Sequence, residues 1–126
     1  MPMTTTPRIL LTGVILELTL ATAYIHLTLG GTLFLLNAVG YLALGAAYLA
    51  AAALPMPAIR RLSWLPRLGL AAFASVTILA YLVTGPYFTL GWVTKGIEVA
   101  IVLLVMADLL MTPDAGAARR RPPRSA

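Results

Sequence analysis

Apolar residues dominate four long stretches of this chain, 9–29, 33–54, 65–84 and 90–111, and polar residues collect between and beyond them. A hydrocarbon core of about 30 Å needs roughly 20 helical residues at 1.5 Å each, and every stretch supplies about that number. The stretches are apolar at both odd and even positions, which excludes the alternation of a membrane β-strand. The pattern predicts an all-α fold, a four-transmembrane-helix bundle at 9–111. A tail at 1–8 and a basic tail at 112–126, of disordered character, flank it.

The breaks between stretches have their own chemistry. Gly30-Gly31-Thr32 reads as a tight hairpin, a glycine stop followed by a threonine able to cap the next helix. Gly85-Pro86 ends the third stretch, and Tyr87, Phe88 and Trp92 beside it form an aromatic belt. The segment 55–67 carries three prolines and is expected to lie along a membrane interface with Trp64 at headgroup depth. Gly40, Ala43, Ala47 and Ala51 make a small-residue stripe on the second stretch, matched by Ala71 and Ser75 on the third, so close helix approach is expected there.

Composition sharpens this picture. With 60% hydrophobic and 10% charged residues there is too little polar surface to clothe a soluble globule. The net charge of +5 would fit a nucleic-acid binder only if the cations formed one groove. Instead Arg8 precedes the first stretch, Arg60, Arg61 and Arg67 fall between the second and third, and Arg119, Arg120, Arg121 and Arg124 follow the fourth. All lie on one side of a four-span topology. The positive-inside rule therefore predicts a multi-pass cell-membrane protein with N and C termini cytoplasmic. Arg60, Arg61, Arg67, Arg119, Arg120 and Arg121 are expected to face anionic lipid headgroups, and nucleic acid is not an expected partner. Arg8, the apolar residues 9–20 and Ala21-Thr22-Ala23 imitate a cleavable signal peptide, but Glu17 interrupts that run and apolar sequence continues to Leu29.

Candidate chemistry is confined to polar residues inside the stretches. Ionisable side chains there cost roughly 2.5–3.5 kcal/mol each at mid-depth, so they face protein or water. Glu17 and His26 lie in the first, and Lys95, Glu98 and Asp108 in the fourth. Lys95 and Glu98, three residues apart, share a helix face and can form an ion pair. Glu17 and His26 are on opposite faces of a straight helix: Glu17 goes with Ala21, Tyr24 and Thr28, His26 with Thr19 and Thr22. The expected intramembrane cluster is Glu17, Lys95 and Glu98 between spans one and four, supplemented by Tyr24 and Asn37. Asp108, near the cytoplasmic end, is expected to reach water or an arginine.

His26 is a candidate contact for a ligand or cofactor, against the simpler reading of a hydrogen-bonded packing residue. It is the chain's one histidine, and cysteine is absent, so no cofactor and no metal are expected. No nucleophile–base pair or phosphate-cradling glycine loop is legible, which argues against an enzyme. Two functions remain: a non-enzymatic accessory or structural subunit working with other membrane subunits or with itself, and a proton-coupled carrier of a small solute using Glu17 and Glu98.

Two resemblances bear on these. Gly13-Val14-Ile15-Leu16-Glu17 is similar to the first helix of the small multidrug resistance transporters, which implies a four-helix fold and a membrane glutamate essential for transport at Glu17. The third-helix glycine- and tryptophan-rich pattern of that family is missing from 65–84, and Lys95 and Glu98 are foreign to its fourth helix. His26, Leu27, Leu29 and Gly30, with Lys95 and Glu98, resemble motifs of an uncharacterised four-span family of haloarchaea and high-GC bacteria. That resemblance implies a fold and no activity.

Overall fold

The computed structural model describes residues 5–111, and four of the five helices within that range follow the apolar stretches, the fifth lying in the connection between the second and third. Helix α1 is Thr5–Leu29, α2 is Thr32–Ala53, α3 is the short Pro57–Arg61, α4 is Trp64–Thr84 and α5 is Thr89–Leu110. Helices α1, α2 and α4 are long and apolar enough to cross a membrane. The molecule is an all-helical membrane protein. Helix α5 matches their length but carries Lys95, Glu98 and Asp108. Helix α1 starts earlier than its apolar stretch, taking in Pro7 and Arg8 from the expected tail.

Short connections dictate the packing. Gly30 and Gly31 both adopt positive φ, 73° and 94°, which lets the chain reverse within two residues. Gly31 rather than Thr32 is the N-cap of α2, and no side chain caps it; the expected threonine cap does not form. Pro57 at the start of α3 fixes the φ a first helical turn needs, so residues 57–61 form a short helix between α2 and α4. Helix α4 then begins at Trp64, with Arg67 inside it.

The four long helices form a ring in which α1 packs on α2 and α5, and α4 packs on the same two. Inward positions recur at three- and four-residue steps: Ala38, Tyr41, Gly45 and Tyr48 on α2, and Gly91, Thr94, Glu98, Ile101, Val105 and Asp108 on α5. That repeat keeps one face of each helix on its neighbours, as helix bundles require. Ile15, Tyr41, Tyr48, Leu70, Ala74, Ile101 and Val105 make the apolar centre.

The small-residue stripe does not behave as expected. Ala43 and Ala47 face outward, and the phenyl ring of Phe73 occupies the space beside Gly40 where a side chain would stand. Ser75 donates to the carbonyl of Ala71 in its own helix.

The distribution of polarity is the reverse of a soluble bundle's. Thr19, Thr22, His26, Arg67, Thr77, Thr94, Lys95, Glu98 and Asp108 are buried, while Leu33, Leu103, Val83 and many other aliphatic side chains are exposed. Such an exterior is stable in acyl chains, where polar side chains gain by facing one another.

Candidate functional site: a buried polar layer beneath a cavity

Toward the end of the bundle that carries the Gly30–Gly31 hairpin, side chains from all four long helices converge on Glu98. Its carboxylate is fully buried. One oxygen, Oε2, accepts from Lys95 Nζ at 2.6 Å and from the Thr77 hydroxyl at 3.1 Å. The other, Oε1, accepts from the Thr22 hydroxyl at 3.2 Å and lies 3.8 Å from His26 Nε2. The Tyr41 hydroxyl meets Thr77 Oγ1 at 2.9 Å, completing the layer from α2.

Local sequence explains each placement. Lys95 reaches Glu98 because a three-residue step stacks side chains on one helical face. Thr22 and His26 are one turn apart, and the Thr22 carbonyl lies 2.7 Å from His26 Nδ1. That bond places a proton on Nδ1, so in the neutral ring Nε2 holds a lone pair directed at Glu98. Phe34 and Tyr41 flank the imidazole, with ring centroids 6.0 and 5.8 Å away.

Above this layer is a cavity of about 230 Å³. His26, Thr94 and Lys95 are at its base, and Phe34, Asn37, Tyr81 and Phe88 are among its walls. The Lys95 ammonium also lies 5.4 Å from the centre of the Tyr81 ring, a cation–π contact. The aromatic belt at this end packs as a cluster: Tyr81 meets Tyr87, Phe88 and Trp92 edge-on, and Tyr87 stacks on Trp92.

A second buried layer lies toward the other end. Arg67 Nε donates to Asp108 Oδ2 at 2.7 Å, the Tyr48 hydroxyl donates to the same oxygen at 2.9 Å, and Arg67 Nη1 donates to the Ser63 carbonyl at 2.6 Å. The guanidinium also lies 5.3 Å from the centre of the Tyr48 ring. Asp108 does meet an arginine.

The structure sorts the expected residues into three groups. Lys95 and Glu98 form the ion pair that their spacing predicts, with His26 joined to it and Asn37 half-buried on the cavity wall. Glu17 and Tyr24 are exposed, Tyr24 to 68%, and neither reaches that cluster. The two faces of α1 are divided as expected, but the inward one is the face of Ile15, Thr19, Thr22 and His26. Arg67 is buried at 4% and paired, so it does not face lipid headgroups; Arg60 and Arg61 are exposed. Arg119, Arg120 and Arg121 lie outside the described residues.

Sequence reasoning placed Thr19 and Thr22 on the face of His26 and counted Tyr41 among the polar residues of the spans, but did not turn that face inward, and it missed Thr77 and Tyr48 as members of the polar layers. One signal was available: Thr19, Thr22 and His26 make a polar stripe at helical spacing, and such a stripe turns toward protein in an apolar solvent. Comparison with family models, with curated proteins and with solved structures finds no match.

Proposed function

We propose that this chain is a non-enzymatic accessory subunit of a membrane assembly, spanning the bilayer four times with both termini cytoplasmic and docked to its partner through the outer face of α1. The observation that carries this reading is Glu17. It is the central residue of α1, it is exposed, and no hydrogen bond or ion pair reaches it from the described residues. A lone ionisable residue at that depth against acyl chains costs roughly 2.5–3.5 kcal/mol, which a protein partner removes.

The partner is a helix of a different protein with a cationic or hydrogen-bond-donating side chain at mid-depth. A second copy of this chain offers no cation at that depth, because Lys95 in the polar layer and Arg67 toward the other end of the bundle are both buried in pairs, with Glu98 and Asp108. Gly13 and Ala21, one turn to either side of Glu17, give the approaching helix room; a methyl group on Gly13 would meet nothing within 4 Å. The fourth crossing is supported by α5 itself. Its three charges are buried, and Val93, Val99, Leu103 and Leu110 are exposed in their place. The arginine distribution supports the orientation.

A carrier using Glu17 and Glu98 together has less support, since the first faces outward and the second inward. The chain contains no cysteine, so single cysteines at Gly13 and Ala21 can be cross-linked in native membranes, with Ala47 on the outward face of α2 as control. The expected result is one adduct containing a second protein from the α1 positions alone. A 13.3 kDa monomer unchanged by the cross-linker, or a homodimer, overturns the reading.

A further inference from the structure

The cavity above the Glu98 layer holds polar groups that the bundle leaves uncommitted, and it owes nothing to the outer face of α1. Asn37 makes no hydrogen bond within the described residues, yet its amide lies on the cavity wall. Lys95 directs one of its three N–H bonds at Glu98, leaving donors at the base of the same space. His26 presents Nε2 there as well, with Nδ1 engaged by the Thr22 carbonyl.

Most of the remaining lining is apolar or aromatic, and the hydroxyls of Thr77, Thr84 and Thr94, which also line it, already donate to Glu98 Oε2 and to the Ala80 and Leu90 carbonyls. The mouth includes Leu33, Val76, Ala80 and Pro86, all exposed, and Val76 lies on the outward side of α4. A ligand can therefore enter from the acyl region as well as from the bundle end.

We infer that this cavity binds a small apolar monocarboxylic acid, held as its carboxylate by Lys95 and Asn37 while His26 takes up one proton from solution. Three considerations select that class. An amine would meet the Lys95 ammonium, and it would find the Glu98 oxygens already accepting from Lys95, Thr22 and Thr77. A hydrocarbon would strip water from Asn37 and Lys95 and return no acceptor, at a cost of about 1–3 kcal/mol per orphaned group. A carboxylate satisfies both, but alone it adds one negative charge to a neutral Lys95–Glu98 pair in an apolar surround. One proton on Nε2 restores neutrality.

The proton balances: above pH 7 the acid is already ionised in solution, so the buffer supplies the proton that His26 gains, and the cavity takes up the elements of the neutral acid. The ionisable groups facing the imidazole are Glu98 and Lys95 from α5 and Tyr41 from α2. Glu98 Oε1, at 3.8 Å from Nε2, holds the imidazolium in place once it forms. At about 230 Å³ the space is below the roughly 300 Å³ at which pockets for drug-sized ligands begin, so the acid is short-chained rather than a membrane lipid.

Hexanoate, hexylamine and hexanol, each titrated calorimetrically into the full chain in phosphatidylcholine nanodiscs with empty discs subtracted, test this. Hexanoate is expected to saturate one site, and the other two to bind at least tenfold more weakly. Two buffers of different ionisation enthalpy should report uptake of nearly one proton per hexanoate above pH 7, lost in His26→Gln. Asn37→Leu, which breaks no internal bond, should weaken hexanoate about tenfold, and Ala80→Phe should abolish binding by filling the space. The double variant Lys95→Met/Glu98→Gln removes both charges together and should also lose hexanoate. Equal or tighter binding of hexylamine or hexanol, no saturable binding of hexanoate, or hexanoate binding unmoved by Asn37→Leu and Ala80→Phe overturns the site. Binding without proton uptake overturns the role of His26.

Discussion

Glu98 and Asp108 are carboxylates on the same inward face of α5, both buried and both paired with a cation, yet they are held in different ways. Glu98 takes its cation from its own helix and spreads hydroxyl contacts over α1 and α4, beneath a cavity. Asp108 takes its cation from α4 and a tyrosine from α2, and concentrates Arg67 and Tyr48 on a single oxygen. The first pair would exist in an isolated α5, so its charge partner contributes little to choosing the neighbouring helices. The second exists only when three helices are assembled. Hydrophobicity cannot supply that register in lipid, where every apolar face is equally content outside. The Asp108 layer sets the bundle; the Glu98 layer leaves groups free for chemistry.

The largest expected effect follows from that difference. Asp108→Leu leaves the Arg67 guanidinium buried without its carboxylate, and breaking a buried pair this way costs about 3–5 kcal/mol. Thermal unfolding in mild detergent should show the greatest loss of stability for this variant. Adding Arg67→Met should return stability to the native value or above, because the stranded charge is then gone. A double variant as unstable as the single would mean that Arg67 serves the fold through packing alone.

Glu98→Gln should cost less, about 1.5–3 kcal/mol, the range for a hydrogen bond to a charged group. The amide keeps one oxygen for Thr22 or Thr77, and Lys95 borders the cavity, where water can solvate it. A loss as great as that of Asp108→Leu would erase the distinction between the two layers. Smaller again is Tyr41→Phe, which removes one hydroxyl from Thr77 and keeps the ring on His26; about 1 kcal/mol is expected in the same assay.

How much of this was legible in the chain follows from what each inference used. Helix existence and length came from hydropathy, which the bilayer imposes strongly, and the Lys95–Glu98 pair came from a three-residue step that any helix obeys. The Gly30–Gly31 turn was legible because only glycine takes two successive positive φ values cheaply. Which face of α1 turns inward was marked only by the Thr19, Thr22 and His26 stripe, against which the charge of Glu17 on the opposite face argued as strongly. The choice between Glu17 and His26 depends on contacts with α5, far away in sequence, as between Thr22 and Glu98. Arg67 and Asp108 were recognisable as a cation and an acid near one membrane surface, but their pairing is fixed by the α4–α5 geometry. Tyr48 gave no signal at all, because a tyrosine in an alanine-rich span is equally at home packed as a ring.

The smallest effect belongs to the other glutamate, and it sharpens the comparison most. Glu17→Gln makes the same chemical change as Glu98→Gln on a helix that packs against α5, but Glu17 is exposed and bonded to nothing among the described residues. Unfolding of the detergent-solubilised chain should shift by no more than about 0.5 kcal/mol, as for surface positions generally. Glu17→Leu should be neutral or slightly stabilising. In native membranes the order reverses: a chain docked through α1 loses its co-purifying partner with Glu17→Leu and retains it with Glu98→Gln. If Glu17→Leu destabilises the isolated chain as much as Glu98→Gln does, α1 is turned the other way and the polar layer must be rebuilt around Glu17.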